Sequence, residues 1–142
     1  MVDDLTEFLR ARLDEDAALA EAASPGPWHT NEEAEEVLAV DGITVADGFA
    51  LSGRQLRATT EHIACQDPTR VLREIEVKRE LLKEHTVDGW TCSTCAMPED
   101  FDEDADGNRE WSRRGQDFPC RTLRLAASVY ADRPGYREDW RP

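Results

Sequence analysis

With 142 residues the chain has the length of one ordinary domain, and 31 Asp and Glu against 17 Lys and Arg leave a formal charge of −14 at pH 7. So acidic a surface repels nucleic acid and anionic membranes, whose binding draws on basic side chains and counterion release; neither is expected as a direct partner. Apolar residues make up 39% and mean hydropathy is −0.66, below the roughly 45–50% apolar usage of a typical globular domain, which predicts a small core.

No run of about 18 apolar residues occurs, so no transmembrane helix is expected. Met1-Val2-Asp3-Asp4 lacks the basic and apolar regions of a secretory signal. The expectation is a cytoplasmic protein whose thiols stay reduced.

The first predicted element is an amphipathic helix over Asp3 to Ala23, with Leu5, Phe8, Leu9, Leu13, Ala17 and Ala20 along one stripe. Asp4 is the expected cap, with Glu7 three residues on, and Ser24-Pro25-Gly26-Pro27 ends the helix. Residues 1–36 hold 11 acidic side chains against Arg10 and Arg12, which reads as a solvated face. Trp28 is expected to staple this helix to the strands that follow.

Val37-Leu38-Ala39-Val40 and Ile43-Thr44-Val45-Ala46 flank Asp41-Gly42, which predicts a β-hairpin with a type I′ turn. Trp28-His29-Thr30 or Phe49-Ala50-Leu51 would supply a third strand. Gly53 to His85 reads as helix interrupted near Asp67-Pro68, either a helical hairpin or one kinked long helix, with Val71, Leu72, Ile75 and Leu82 inward. Residues 98–110 carry seven acidic groups and one Arg, the composition of an acidic, mobile loop. The whole is α+β: a single domain with a helical and hairpin core over 1–85 and a zinc-binding segment with a short helix over 86–142.

The chemistry concentrates in that last segment. Cys92-Ser93-Thr94-Cys95 is a pair spaced for two thiolates on one metal, and Cys120 supplies a third just before a short helix starting near Thr122. His85 and Cys65 compete for the fourth position. His85 is preferred, because it ends a helix from which a short turn, Thr86 to Thr91, leads into the Cys pair. A structural Zn2+ bound by His85, Cys92, Cys95 and Cys120 would also replace apolar burial that the polar last third lacks.

Other patterns are weaker. Asp102-x-Asp104-x-Asp106-Gly107 matches the first half of a calcium loop, but the twelfth position is Arg113 where a bidentate Glu is needed. His62 and Cys65 lie three residues apart on a predicted helix, yet a Cys beside Ile63 reads as a small hydrophobe. Trp111, Tyr130, Tyr136 and Trp140 stand among seven arginines over residues 111–142. They either fold the tail back over the chain or form an interaction face.

The run Asp67-Pro68-Thr69-Arg70-Val71-Leu72-Arg73-Glu74, then His85, Cys92-x-x-Cys95, Pro119-Cys120-Arg121-Thr122-Leu123-Arg124 and Tyr130-Ala131-Asp132-x-Pro134-Gly135-Tyr136-Arg137-Glu138-x-Trp140, resembles a family of short actinobacterial proteins of the Streptomyces type, which has no assigned activity. The resemblance covers nearly the whole chain, favours His85 and leaves Cys65 outside the pattern. More loosely, Ser24-Pro25-Gly26-Pro27-Trp28 followed by a β-rich segment, Glu61-His62-Ile63-Ala64 and Asp67-Pro68 is similar in layout to small phage early-region proteins.

These readings lead to a small acidic zinc-stabilised adaptor that binds a protein partner, with homo-oligomerisation left open. No catalytic residue is assigned. The rival classes are an enzyme, either a thiol–disulfide oxidoreductase on Cys92 and Cys95 or a zinc hydrolase, and an acidic DNA mimic that occupies a DNA-binding protein.

Overall fold

The computed structural model describes residues 3–49, 52–96, 99–113 and 117–142. The fold is α+β, with helices α1 (Asp4–Ala22), α2 (Gly53–Cys65), α3 (Pro68–Glu84) and α4 (Arg121–Ser128). Strands β1 (His29–Thr30), β2 (Glu36–Leu38) and β3 (Thr44–Asp47) form one antiparallel sheet in that order. Two antiparallel hairpins follow, β4 (Val87–Asp88) with β5 (Thr91–Cys92), and β6 (Glu99–Glu103) with β7 (Arg109–Arg113).

The chain gathers into two compact units. One is Leu13–Val77; the other joins the chain up to Arg12 to Lys78–Pro142. The division falls within α1 and α3.

In the unit Leu13–Val77, α2 packs on β1 and β2, and the buried side chains are Leu13, Ala17, Val37, Ala39, Thr60, Ala64 and Ile75. The Thr60 hydroxyl donates to the carbonyl of Ala34 at 2.7 Å, pinning the helix to the chain that enters β2. The third strand is His29–Thr30, paired with β2; of the alternative stretch, residues 50–51 lie outside the described residues. The turn after β2 differs from the expected type I′. That turn needs positive φ at both central residues, and here Gly42 takes it (+81°) while Asp41 does not. Instead the loop widens to Val40-Asp41-Gly42, closed by the N–H of Ala39 on the Ile43 carbonyl at 2.9 Å, while the Asp41 carboxylate accepts from the Ile43 N–H.

The interruption at residues 66–67 makes two helices rather than one kinked helix. Pro68 stands at the first position of α3, where its missing N–H costs nothing. Asp67 caps it, accepting from the Arg70 N–H at 2.8 Å with one oxygen and from the Trp28 N–H at 3.0 Å with the other. Trp28 is half-buried, and its indole N–H donates to the Ser24 carbonyl just beyond α1. The cap of α1 is Asp3 rather than Asp4: its carboxylate accepts from the N–H groups of Leu5 and Thr6.

In the second unit Leu5, Leu9, Leu82, Leu123, Ala127, Tyr130 and Trp140 are buried. Phe8, Tyr136 and Trp140 form an aromatic cluster with ring centroids 5.3–5.9 Å apart. Arg137 pairs with Asp4 and Asp139. The tail thus folds back and uses these aromatics internally.

Residues 99–113 overturn the expectation of a mobile loop. They pair in register, Glu103 opposite Arg109 and Asp102 opposite Glu110. The turn is closed by Asp104, whose carboxylate accepts from the backbone N–H groups of Asp106 and Asn108 and from the Asn108 side chain. These bonds hold the Asp104 carboxyl below the usual carboxylate range. The half-match to a calcium loop is therefore the turn of a hairpin. Among the described residues no helix is long and apolar enough to cross a membrane.

Asp67 ties Trp28 to the start of α3, so Asp67→Ala is expected to cost about 1–3 kcal/mol and to lower Tm by several degrees. Asp67→Asn, which still accepts as a cap, should recover most of the loss. Thermal unfolding followed by circular dichroism checks the pair, and equal Tm for wild type and Asp67→Ala would refute the assignment.

Candidate metal centre

Four short pieces of chain bring the site together. His85 follows the last residue of α3 and continues its hydrogen bonding, its N–H donating to the Leu81 carbonyl at 2.9 Å. The chain then reverses through the β4–β5 hairpin, with Val87 opposite Cys92. Gly89, at the turn, has φ of +65°, which its lack of a Cβ makes inexpensive.

The two residues between the paired cysteines have their own task. A helix ends with unpaired carbonyls, and the Glu84 carbonyl accepts from the hydroxyls of Ser93 and Thr94. The Ser93 N–H donates to the Thr86 carbonyl at 2.8 Å, and the Ala96 N–H closes the turn on the Cys92 carbonyl at 2.9 Å. The Cys pair is thus bolted to the helix end that carries His85. Cys120 arrives from further along: Thr91 bridges to Asp117, and the Phe118 N–H donates to the Trp90 carbonyl at 3.0 Å. Cys120 is the N-cap residue of α4, with extended backbone.

The four side chains converge. His85 Nδ1 lies 3.3 Å from Cys92 Sγ and 3.5 Å from both Cys95 Sγ and Cys120 Sγ. All four donor atoms fall within 4.8 Å of one another. His85, Cys92 and Cys120 are buried and Cys95 is half-buried. Three hydrogen bonds do not explain this geometry, because a ring nitrogen carries at most one proton. A tetrahedron does: bonds of about 2.3 Å to sulfur and 2.0–2.1 Å to nitrogen give an N···S edge of about 3.6 Å. The arrangement can hold a metal ion. A metal bound at Nδ1 would leave the ring proton of His85 on Nε2. His85 also lines a cleft of about 110 Å³ with Asp3, Thr6 and Arg10.

The thiols influence one another. Burial pushes the Cys92 thiol up, but the N–H groups of Cys95 and Thr94 aimed at its sulfur, with the thiols of Cys120 and Cys95, outweigh it and bring Cys92 below its ordinary value. Cys95 is pushed up to about 11 by burial first, then by the hydrogen bonds and charges of Cys92 and Cys120. One thiolate is easy to form here, and each further one meets its neighbour's charge.

The structure brings together the four residues that the sequence singled out. Cys65 is exposed on α2 and outside the cluster; His29 and His62 are exposed as well. Sequence reasoning treated residues 86–91 as a plain turn and missed β4 and β5. The signal was Asp88-Gly89 between Val87 and Thr91, the same Asp-Gly cue used at 41–42. It also gave no role to Ser93 and Thr94.

The sequence model of a family described as a family of unknown function (DUF6221) matches residues 2–142. No curated protein and no solved structure matches the chain.

Thiol titration tests the electrostatics. In metal-free protein, ultraviolet thiolate absorbance should rise in separate steps, one below the ordinary cysteine value from Cys92 and a late one near 11 from Cys95. Adding a divalent ion at neutral pH should then expel the remaining thiol protons, measured by pH-stat. A single step at the ordinary value, with no proton release, would contradict the site.

Proposed function

We propose that this chain, which belongs to the DUF6221 family of unknown function, is a zinc-stabilised adaptor that binds a protein partner, with one structural Zn2+ held by His85, Cys92, Cys95 and Cys120. The observation that carries the metal is the approach of one imidazole nitrogen to three sulfurs at 3.3–3.5 Å. Three thiolates and an imidazole form a ligand set typical of structural zinc, and soft sulfur donors discriminate against magnesium and calcium. Reduced cysteines, none of them in a disulfide, fit a cytoplasmic setting.

The structural role follows from the count of donors. Four protein ligands fill a tetrahedron and leave no position for the water or substrate that a catalytic zinc requires. A thiol–disulfide oxidoreductase needs an accessible attacking thiolate, and Cys92 has no exposed surface. The adaptor role is supported by large exposed apolar side chains, Leu19, Phe49 and Trp90 among them, on a chain whose charge keeps it apart from its own copies.

Native mass spectrometry with and without chelator tests the metal. One zinc per chain is expected, removed by chelator. Cys92→Ser should lose the metal and raise hydrogen exchange in 86–142 while residues 13–77 keep theirs, and Cys65→Ser should keep a full complement. Zinc retained at one per chain by Cys92→Ser would overturn the ligand set; a folded wild-type protein that takes up no zinc would overturn the metal altogether.

A further inference from the structure

We propose that Asp3 and Thr6, at the start of α1, are positioning residues for the metal centre: together they hold a water that receives the outer ring N–H of His85. The inference rests on the metal half of the proposed function and names what fixes the imidazole ligand from behind. Every residue it uses belongs to the unit that joins the chain up to Arg12 to Lys78–Pro142.

His85 is only 8% exposed, and its Nδ1 faces the three sulfurs. A metal at Nδ1 leaves the ring proton on Nε2, and a buried N–H needs an acceptor. Metal-bound imidazoles meet that need with a carboxylate, a carbonyl or a water, which fixes the ring and makes it a better ligand. The cleft of about 110 Å³ borders His85, and none of the three cysteines lines it, so it meets His85 on the side away from the sulfurs. Leu82, Val87 and Phe118 give it an apolar wall, beside which an unpaired polar group is costly.

The acceptors in the cleft can be counted. Arg10 only donates, and the Thr86 hydroxyl is engaged with that of Ser93 at 3.0 Å. Asp3 and Thr6 remain. One carboxylate oxygen of Asp3 caps α1 on the N–H groups of Leu5 and Thr6, and its second oxygen accepts no hydrogen bond among the described residues. Thr6 is 7% exposed, and its hydroxyl is buried without a partner. Native proteins rarely strand such a group; protein or ordered water satisfies it. Among the described residues no direct hydrogen bond joins Asp3 to His85, so the link passes through water, for which a cleft of 110 Å³ has ample room. A water there accepts from Nε2–H and donates to the second oxygen of Asp3 and to Thr6 Oγ1, about the three bonds typical of a buried water.

The test measures the zinc affinity of the full-length protein by competition with a chromogenic chelator, beside the helicity and thermal unfolding of metal-free samples. Asp3→Ser keeps a good cap and loses the second oxygen. It should bind zinc about 10- to 100-fold more weakly while the metal-free protein keeps its helicity. Thr6→Val keeps the shape and removes only the hydroxyl. In a dry cleft that change discards an unsatisfied group and leaves the metal untouched; with the water in place it should weaken zinc binding about threefold or more. Glu7→Gln removes a charge from the same turn outside the cleft and should bind as wild type does. By NMR, His85 Nε2–H of the zinc-loaded protein should give a slowly exchanging ring-proton signal, the ring protons of the exposed His29 and His62 exchanging fast. Asp3→Ser should lose that signal, which a change in helix stability alone would not remove. Should Asp3→Ser lose its fold, Thr6→Val decides. Unchanged zinc affinity in either folded variant overturns the inference and leaves the metal site standing, whereas a folded wild-type protein that takes up no zinc overturns both.

Discussion

Three sulfurs held near one imidazole nitrogen set the terms for the second unit of this protein. Sulfur is a poor partner for sulfur, and as thiolates the three repel one another in a place that water scarcely reaches. Burial first, and then the hydrogen bonds and charges of Cys92 and Cys120, push Cys95 up to about 11. Hydrogen bonds relieve it once: Cys92 receives the N–H groups of Thr94 and Cys95, and no equivalent pair serves Cys95. A divalent cation at the common centre changes the sign of the problem, turning three mutual repulsions into four attractions. Binding energies of about 10–16 kcal/mol for structural zinc in small modules equal the whole net stability of an ordinary domain, about 5–15 kcal/mol.

A metal held at this cluster would supply order that so polar a chain has few apolar contacts to provide. The unit around the site buries Leu5, Leu9, Leu82, Leu123 and a few others, and its strands are two to five residues long. Isolated two-stranded hairpins of that kind are marginal in water. The β4–β5 hairpin gains from having Cys92 at its end, and α4, only eight residues long, gains from having Cys120 as its first cap. The unit Leu13–Val77 has no such centre. It relies on α2 over its small sheet and on polar pins, Thr60 on the Ala34 carbonyl and Asp67 on Trp28 and Arg70.

What the sequence disclosed, and what it hid, follows from how local each determinant is. The start of α3 was legible because Asp67 and Pro68 act within one turn of themselves. The donor set was legible because few residue types bind soft metals and the chain has few of them. The 99–113 hairpin was hidden, since strand formers are scarce there and acidic residues are depleted from strands in general. Its strands meet in cross-strand pairs that only the register brings together, Glu103 with Arg109 at 3.0 Å among them. The turn at Asp41-Gly42 was over-read, because the dipeptide fixes that the chain turns and leaves open how many residues turn it. Asp3 displaced Asp4 as the cap of α1 by one position, within the reach of the same side-chain chemistry.

The acidic surplus takes on a different meaning once the pairing is known. In the tail and in β6–β7 some carboxylates meet arginines, at Asp4 and Asp139 around Arg137 and at Glu103 beside Arg109. The stretch of α1 from Leu13 onward holds no base at all. Exposed pairs contribute little to stability, so the uneven distribution does little to decide whether the chain folds.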